Sequence, residues 1–194
     1  TFNNYFLEGT IECGSVFKPF IYADSIEEGK YDHNAYYNSG SYNVYYGNKL
    51  VATIKDHNGG QGWGTITYDQ GLYHSSNVAI CNLLDQGYVT KDVLTEKLND
   101  LGFFQGDTMD GLTCSSSINA YTRKNAGRLE YLTTGFGQGS TVTPYQLLKA
   151  YSVFGNDGKT VQPHIVDKVV NPETNKVVYQ ATPKYSKQIF STNT

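Results

Sequence analysis

The sequence predicts an α+β fold made mainly of helices, with a small hairpin towards the C-terminus. Two helices carry clear boundary signals: 90–101 starts at a Thr that can cap its first turn, and 143–157 starts with Thr, Pro and Gln in a capping-box pattern. The hairpin is predicted because two Val-rich segments, 161–170 and 176–179, flank a turn sequence.

Apolar spacing predicts further helices. Residues 15–28 have apolar side chains close to helical spacing, and two shorter helices, 65–73 and 76–84, are separated by small polar residues. The segment 31–63 is rich in Tyr, Asn and Gly, which predicts a loop with at most short strands. The segment 105–127 is polar and irregular, and no element is predicted there.

Charge and hydropathy exclude several classes of partner. The 15 basic and 18 acidic residues give a net charge of −3, and no Lys or Arg run is present that could follow a nucleic-acid backbone. No apolar stretch approaches the roughly 18–20 residues that span a bilayer, and the first residues do not resemble a signal peptide. We therefore expect one globular domain that does not bind nucleic acid and carries no membrane element itself.

A candidate nucleophile and base lie at the start of the first long helix. Ser15 and Lys18 are three residues apart, so they share one helix face. A Ser hydroxyl is a weak nucleophile, but a Lys held neutral by burial can remove its proton. Gly14 permits close approach of a substrate carbonyl, and the Ser15 N–H can face a developing oxyanion. The bare S-x-x-K pattern is common, so its meaning depends on the surrounding sequence.

Three ordered segments supply that context. The first, GSVFKPF at 14–20, resembles the G-S-T-F-K-P-F signature around the active serine of penicillin-binding proteins. The second, HSSNVA at 74–79, resembles their S-x-N motif. The third, 134–158, resembles their G-Q-G and T-P-x-Q segment. The DHN and GWG sequences within 56–64 are similar to the loop before S-x-N in class B members. The chain is therefore identified as a member of this family over essentially its whole length.

The resemblance implies a penicillin-binding or β-lactamase-like transpeptidase fold and a role for each motif residue. By that resemblance Ser15 is the acylated nucleophile and Lys18 its general base. Ser75 would relay a proton to the leaving amine, and Asn77 would contact Lys18 and the substrate amide. The set expected to bind substrate is Trp63, Ser76, Gln138 and Gly139. Trp63 would be either a wall of the cleft or a core side chain.

The implied activity is D,D-transpeptidation, in which stem peptides acylate the serine and β-lactams block it. The chemistry needs no cofactor. The whole protein would lie on the extracytoplasmic face of the bacterial membrane, beside a membrane glycosyltransferase and cell-wall assembly proteins. Two alternatives stay open: a β-lactamase or penicillin sensor of the same fold, and a catalytically silent penicillin-binding module that acts as a scaffold.

The family's third motif, K-T-G, does not occur in these residues. We therefore expect 1–194 to be a partial transpeptidase domain, mainly its helical part, without most of the central sheet. Because the missing strand supplies an oxyanion donor, and such a donor is worth about 10²–10³ in rate, the fragment alone should be nearly inactive.

The three cysteines form an odd set, which indicates a free thiol or a metal ligand. Cys13 lies two residues before Ser15, and His74 lies directly before Ser75, so convergence of the two motifs would bring them together. With Cys114 they could form a structural zinc site, because Zn²⁺ favours mixed Cys and His ligands. The competing interpretation is unrelated buried thiols and a loop histidine.

Overall fold

The computed structural model describes residues 3–194, which divide into two compact units. The first unit comprises residues up to Ile11 together with Leu98–Ser117 and Val142–Asn193. The second unit comprises Glu12–Lys97, Ile118–Thr141 and Thr194. Both the S-x-x-K and the S-x-N motifs belong to the second unit. Within residues 3–194, the helices all fall short of the length and apolar content that crossing a membrane would require.

The helices are α1 (Tyr5–Glu8), α2 (Lys18–Glu27), α3 (Tyr68–Tyr73), α4 (Asn77–Asp85), α5 (Lys91–Asp100), α6 (Arg128–Gly135) and α7 (Pro144–Tyr151). Short 3-10 helices occur at Gly14–Phe17, Ala120–Thr122 and Ser152–Gly155. The strands are β1 (Tyr36–Asn38), β2 (Ser41–Tyr46), β3 (Lys49–Lys55), β4 (Thr65–Thr67), β5 (Asp107–Met109), β6 (Leu112–Cys114), β7 (Lys168–Val170) and β8 (Val177–Gln180).

These strands form short antiparallel pairs: β1 with β4, β2 with β3, β5 with β6 and β7 with β8. A mainly helical α+β fold with a C-terminal hairpin is therefore confirmed. The prediction of a loop with at most short strands over 31–63 was wrong in part, because β2 and β3, of six and seven residues, form a hairpin whose register shifts between Val44 and Tyr45. Residues 105–127, for which no element was predicted, contain the β5–β6 hairpin.

Several helix predictions are confirmed, with changed boundaries. The helix predicted over 90–101 is α5, and Thr143 caps α7 in the predicted capping box, although α7 gives way to a 3-10 turn after Tyr151. The helix predicted over 65–73 starts late, because Thr65–Thr67 is strand β4 and the Thr67 side chain caps the N-terminus of α3. Helices α1 and α6 were not predicted.

The core of the second unit positions the site. Helix α4 lies centrally and contacts both α2 and α6. Its buried face includes Ile80 and Leu84, and burying each such side chain stabilises the fold by about 1.5–3 kcal/mol. Gly135 in α6 permits the close packing, because a Cβ there would lie 2.7 Å from Ile80 and 2.6 Å from Leu84. Helix α4, which begins at the Asn of the S-x-N motif, thus packs closely on α6 and also contacts α2, the helix that carries the lysine.

The first unit has its own core of Leu7, Met109, Cys114 and Tyr145. The Tyr145 hydroxyl and the Lys149 ammonium both donate to Asp107, at 2.9 and 2.6 Å. These contacts join α7 to the β5–β6 hairpin.

Candidate active site

Ser15 lies in the 3-10 turn Gly14–Phe17 that leads into α2. A close approach of two glycines holds this turn: Gly14 N–H donates to the Gly137 carbonyl at 2.9 Å, and a Cβ on Gly137 would lie only 2.1 Å from the Gly14 oxygen. Both have φ near +60° to +75°, which glycine adopts at little cost. Ser15 itself is exposed, which its predicted role as a nucleophile requires.

Lys18 lies one turn further on, and its side chain is buried, with only 2% exposed. Its Nζ donates to Ser75 Oγ at 3.0 Å and also to the Ser75 carbonyl oxygen. Burial lowers the pKa of Lys18 to about 8, against the opposing effect of the negative charge of Asp56. The amine therefore has a substantial neutral fraction near neutral pH, and it links the S-x-x-K and S-x-N motifs directly.

Ser75 occupies the break between α3 and α4 in a strained conformation. Its φ is 51°, in the left-handed region that residues with a side chain seldom adopt. The Ser75 N–H donates to the Leu72 carbonyl at 2.9 Å, and the Ser76 N–H donates to Gly71 at 2.8 Å. This turn directs both the hydroxyl and the carbonyl of Ser75 to Lys18. The strained backbone conformation of Ser75 thus allows both of its contacts with the lysine.

Asp56 organises the N-terminus of α4. Its carboxylate is buried and accepts hydrogen bonds from Ser76 Oγ at 2.8 Å, Val78 N at 3.1 Å and Gly40 N at 2.8 Å. The Ser76 hydroxyl in turn accepts from Ala79 N at 3.0 Å, as an N-cap. Ser76 was predicted to bind substrate, but its hydroxyl is buried and used in this network.

Asn77 is the first residue of α4 and is half-buried. Its Nδ2 donates to the Lys55 carbonyl at 2.9 Å, which joins the S-x-N motif to the end of β3. The predicted contact between Asn77 and Lys18 is not among the hydrogen bonds within residues 3–194, where Lys18 Nζ donates to Ser75.

Trp63 is half-buried and stacks on His74. The ring centroids are 4.3 Å apart and the planes differ by 9°. The His57 ring meets Trp63 at 5.5 Å and 58°, and His57 Nε2 lies 3.0 Å from the His74 carbonyl oxygen. Trp63 therefore contacts the residue immediately before Ser75.

Gln138 and Gly139 lie in an exposed loop after α6. Gln138 N–H donates to the Thr133 carbonyl at 3.0 Å, and Gly139 N–H donates to the Glu12 carboxylate at 3.0 Å. Since Glu12 lies three residues before Ser15, this contact and the Gly14–Gly137 bond hold the loop beside the nucleophile turn. The prediction that Gln138 and Gly139 line the substrate cleft stays a prediction, and the structure places both beside the turn that carries Ser15.

The predicted zinc site is not found: residues 3–194 contain no group of three Cys, His, Asp or Glu side chains that could hold a metal ion. The three predicted ligands have other environments. Cys114 packs in the apolar core of the first unit, and His74 is stacked on Trp63 in the second. Cys13 is partly buried, and burial raises the pKa of its thiol to about 11.

Sequence reasoning assigned no role to Asp56 or Glu12. Asp56 could have been suspected, since it opens the DHN sequence that resembles a family motif. Its function as the anchor of α4 depends on partners 16 to 22 residues away in sequence, at Gly40, Ser76 and Val78. For Glu12 the sequence offers no comparable signal, because its partner Gly139 is 127 residues distant.

An exposed serine at a helix start, a buried lysine of lowered pKa and a second serine bonded to that lysine form a set suited to acyl transfer. The family model of the penicillin binding protein transpeptidase domain matches residues 1–194. The chain belongs to this family, and the resemblance seen in its motifs is confirmed.

Known relatives agree with this assignment. Stage V sporulation protein D of Bacillus subtilis (strain 168) is 30% identical over 187 residues, covering 95% of this chain and 28% of that protein. The probable peptidoglycan D,D-transpeptidase PenA of Neisseria flavescens is 25% identical over 187 residues, covering 93% of this chain and 42% of that protein. Penicillin binding protein 2X from Streptococcus thermophilus has a similar structure, with a TM-score of 0.80 at 26% identity over 98% of this chain and 26% of that chain. The chain thus spans less than half the length of each of these relatives.

Proposed function

We propose that the protein is a serine D,D-transpeptidase that cross-links peptidoglycan stem peptides and is trapped by β-lactams. The observation that carries this proposal is the buried Lys18 amine, with a pKa lowered to about 8 and a 3.0 Å hydrogen bond to Ser75 Oγ. A lysine in this state can exchange protons with a serine near neutral pH, which an ordinary surface lysine does poorly.

In the proposed acylation step, Ser15 Oγ attacks the carbonyl carbon of the penultimate D-alanine. Neutral Lys18 takes the hydroxyl proton, and the new C–O bond forms as the carbonyl electrons move to the oxygen. The Ser15 N–H, in a first turn without intrahelical acceptors, stabilises that oxyanion. The C–N bond then breaks, and the terminal D-alanine leaves after its nitrogen receives a proton from Lys18 through Ser75.

In the transfer step, an amine of a second stem peptide attacks the ester carbonyl of acylated Ser15. The amine proton passes to the Lys18 and Ser75 pair, the ester C–O bond breaks, and Ser15 Oγ recovers its proton. The result is a new peptide bond with the enzyme regenerated. A β-lactam would follow the first step only, because its opened ring remains attached to the acyl group and blocks the second amine.

The exposed loop at Gln138 and Gly139 is proposed to line the substrate cleft, since it lies beside the nucleophile turn. Asn77 is proposed to face the substrate amide from the opposite motif. Stem peptides and β-lactams are the proposed ligands, and the extracytoplasmic face of the bacterial membrane is the proposed location. In the whole protein, a membrane glycosyltransferase and cell-wall assembly proteins are the proposed partners.

A catalytically silent scaffold would need neither a buried lysine nor its link to Ser75. Burying an ammonium is costly because the charged form loses its hydration, and a scaffold would gain nothing from that cost. The Lys18 environment therefore favours the enzyme over the scaffold.

Covalent labelling of the full-length protein tests the proposal. We expect incubation with penicillin to add the mass of one penicillin, located by peptide mapping at Ser15, and Ser15→Ala to remove the adduct entirely. The exposed Ser41→Ala, which changes a serine outside the site, serves as the control and should label like the wild type. Absence of an adduct, or an adduct on another residue, would contradict the assignment.

A further inference from the structure

Ser75 adopts a backbone conformation that a serine does not favour. Its left-handed φ of 51° places both the carbonyl oxygen and the hydroxyl against Lys18 Nζ. Such a conformation persists only where surrounding contacts over-determine it. The residue just before it, His74, is one place where such contacts are made.

Trp63 and His57 contact different groups of His74, namely its ring and its carbonyl oxygen. The Trp63 ring covers the His74 ring at 4.3 Å and a 9° interplanar angle. His57 Nε2 lies 3.0 Å from the His74 carbonyl oxygen, and since a carbonyl can only accept, the His57 ring donates this bond. The His57 ring also contacts Trp63, so the three residues form a closed set, here called the aromatic clamp.

Hydrogen bonds and close backbone packing fix the loop that carries His57 and Trp63. Asn58 bonds twice to Gly62, donating to its carbonyl at 3.0 Å and accepting from its N–H at 3.0 Å. Trp63 N–H donates to Ser39 Oγ at 2.6 Å. A Cβ on Gly62 would lie 2.5 Å from Gly40 N, so the loop packs directly on the neighbouring backbone. These loop contacts fix Trp63 and His57, and the two residues in turn hold His74.

We propose that His57 and Trp63 are positioning residues that fix His74 and thereby set the Lys18–Ser75 hydrogen bonds on which acylation depends. This proposal rests on the proposed transpeptidase function. It gives Trp63 a role distinct from a cleft wall, which would touch the substrate, and from a core side chain, which would serve stability alone. Neither residue needs to contact the reacting atoms.

Acylation kinetics of the full-length protein separate these roles. Stopped-flow reaction with a fluorescent penicillin over a range of concentrations yields both the dissociation constant of the first complex and the acylation rate constant. We expect Trp63→Ala to lower the acylation rate constant about 10–100-fold, because small misplacements of catalytic groups have effects of that size. The dissociation constant should change by less than about threefold, and Trp63→Phe should restore most of the rate because it retains a stacking ring.

A second pair of variants tests the carbonyl contact and does not depend on Trp63 variants folding. His57 is exposed, so its replacement should not disturb the core. His57→Leu should lower the acylation rate constant about fivefold, the value of one hydrogen bond, and His57→Gln should restore it because its amide can donate. Tyr73→Ala is the matched control, since Tyr73 precedes His74 and is 87% exposed. It should acylate like the wild type.

Three results would overturn the aromatic clamp. A weaker first complex with an unchanged acylation rate constant would make Trp63 a substrate contact. A lower melting temperature with wild-type kinetics would make it a core residue. Crystal structures of Trp63→Ala and His57→Leu in which Ser75 keeps its φ and its 3.0 Å bond to Lys18 would also refute the proposal. That last test stands even if the wild type takes up no penicillin, in which case the proposed function fails separately.

Discussion

At the scale of single residues, the pKa of Lys18 sets how readily Ser15 is activated in the proposed mechanism. An unperturbed lysine, with a pKa of about 10.4, is neutral in roughly one molecule in 2,500 at pH 7. At the Lys18 pKa of about 8, roughly one in ten is neutral at the same pH. Burial therefore raises the neutral fraction of this amine by about 10²-fold at pH 7, and the lowered pKa is the direct expression of the cost of burying the ammonium.

This argument predicts a pH dependence. The rate of acylation by penicillin should rise with pH through about 8, as Lys18 loses its proton, and then level off. Lys18→Arg keeps a positive charge but cannot serve as a base, so it should lower the rate by about 10²–10⁴ and abolish this limb of the profile. Lys30→Arg, an exposed cation in the same unit, should leave the profile unchanged. Near-normal acylation by Lys18→Arg would reduce Lys18 to an electrostatic neighbour.

At the scale of elements, the start of α4 determines where the S-x-N motif lies. Three donors converge on Asp56: the Ser76 hydroxyl, the Val78 N–H and the Gly40 N–H. These bonds join α4 to the loop after β3, and they are buried. Because a buried donor left without its acceptor loses its hydration without compensation, this carboxylate should matter more than an exposed one with similar bonds.

Replacement by asparagine tests this reasoning. Asp56→Asn keeps one oxygen but places an NH₂ group against the Gly40 or Val78 N–H, so we expect the free energy of unfolding to fall by about 2 kcal/mol. Asp110 is the matched control, since it also accepts from two backbone N–H groups, of Ile165 and Val166, but is exposed. Denaturant titration should show a much smaller loss for Asp110→Asn. Equal losses would show that burial is not what makes Asp56 important.

At the scale of the whole molecule, the sequence predicted those features that local signals specify. The α5 and α7 helices and the terminal hairpin follow from caps, turn residues and periodicity within each segment. The motif serines and the lysine were likewise recognisable, because their order and spacing are specific. All of these signals can be interpreted without any residue that is distant in sequence.

Features that depend on distant partners were missed or misassigned. Strand β4 was taken as part of a helix because its partner, β1, lies almost thirty residues earlier. The β2–β3 hairpin was obscured by a Tyr- and Asn-rich composition in which polar and apolar residues alternate only weakly. The zinc hypothesis assumed that motif convergence would bring three ligands together, whereas Trp63 occupies the face of His74. For β4 and the zinc hypothesis, tertiary packing determined the outcome, whereas the β2–β3 hairpin is local and was missed because of its composition.

One buried acid links proton binding to the stability of the molecule. Asp24 in α2 is 0% exposed, and within residues 3–194 neither of its carboxylate oxygens has a hydrogen-bond partner. Burial raises the pKa of Asp24 well above its usual value, although the charge of Lys97 opposes this. The folded protein therefore keeps a proton that the unfolded chain releases above about pH 3.9. The contribution of Asp24 to stability is then fully present below that pH and is lost as pH rises towards its folded-state pKa.

We expect Asp24→Ala to remove this loss. As pH rises above about 4, the difference in the free energy of unfolding between the variant and the wild type should shift in favour of the variant, by at most about 1.4 kcal/mol per pH unit. Denaturant titrations at several pH values measure it. Asp24→Asn keeps the shape without titrating, so its difference from Asp24→Ala should stay constant with pH. If the wild type and Asp24→Ala showed the same pH dependence, Asp24 would have to ionise in the folded protein as it does in the unfolded chain, and a polar partner for its carboxylate would then be required.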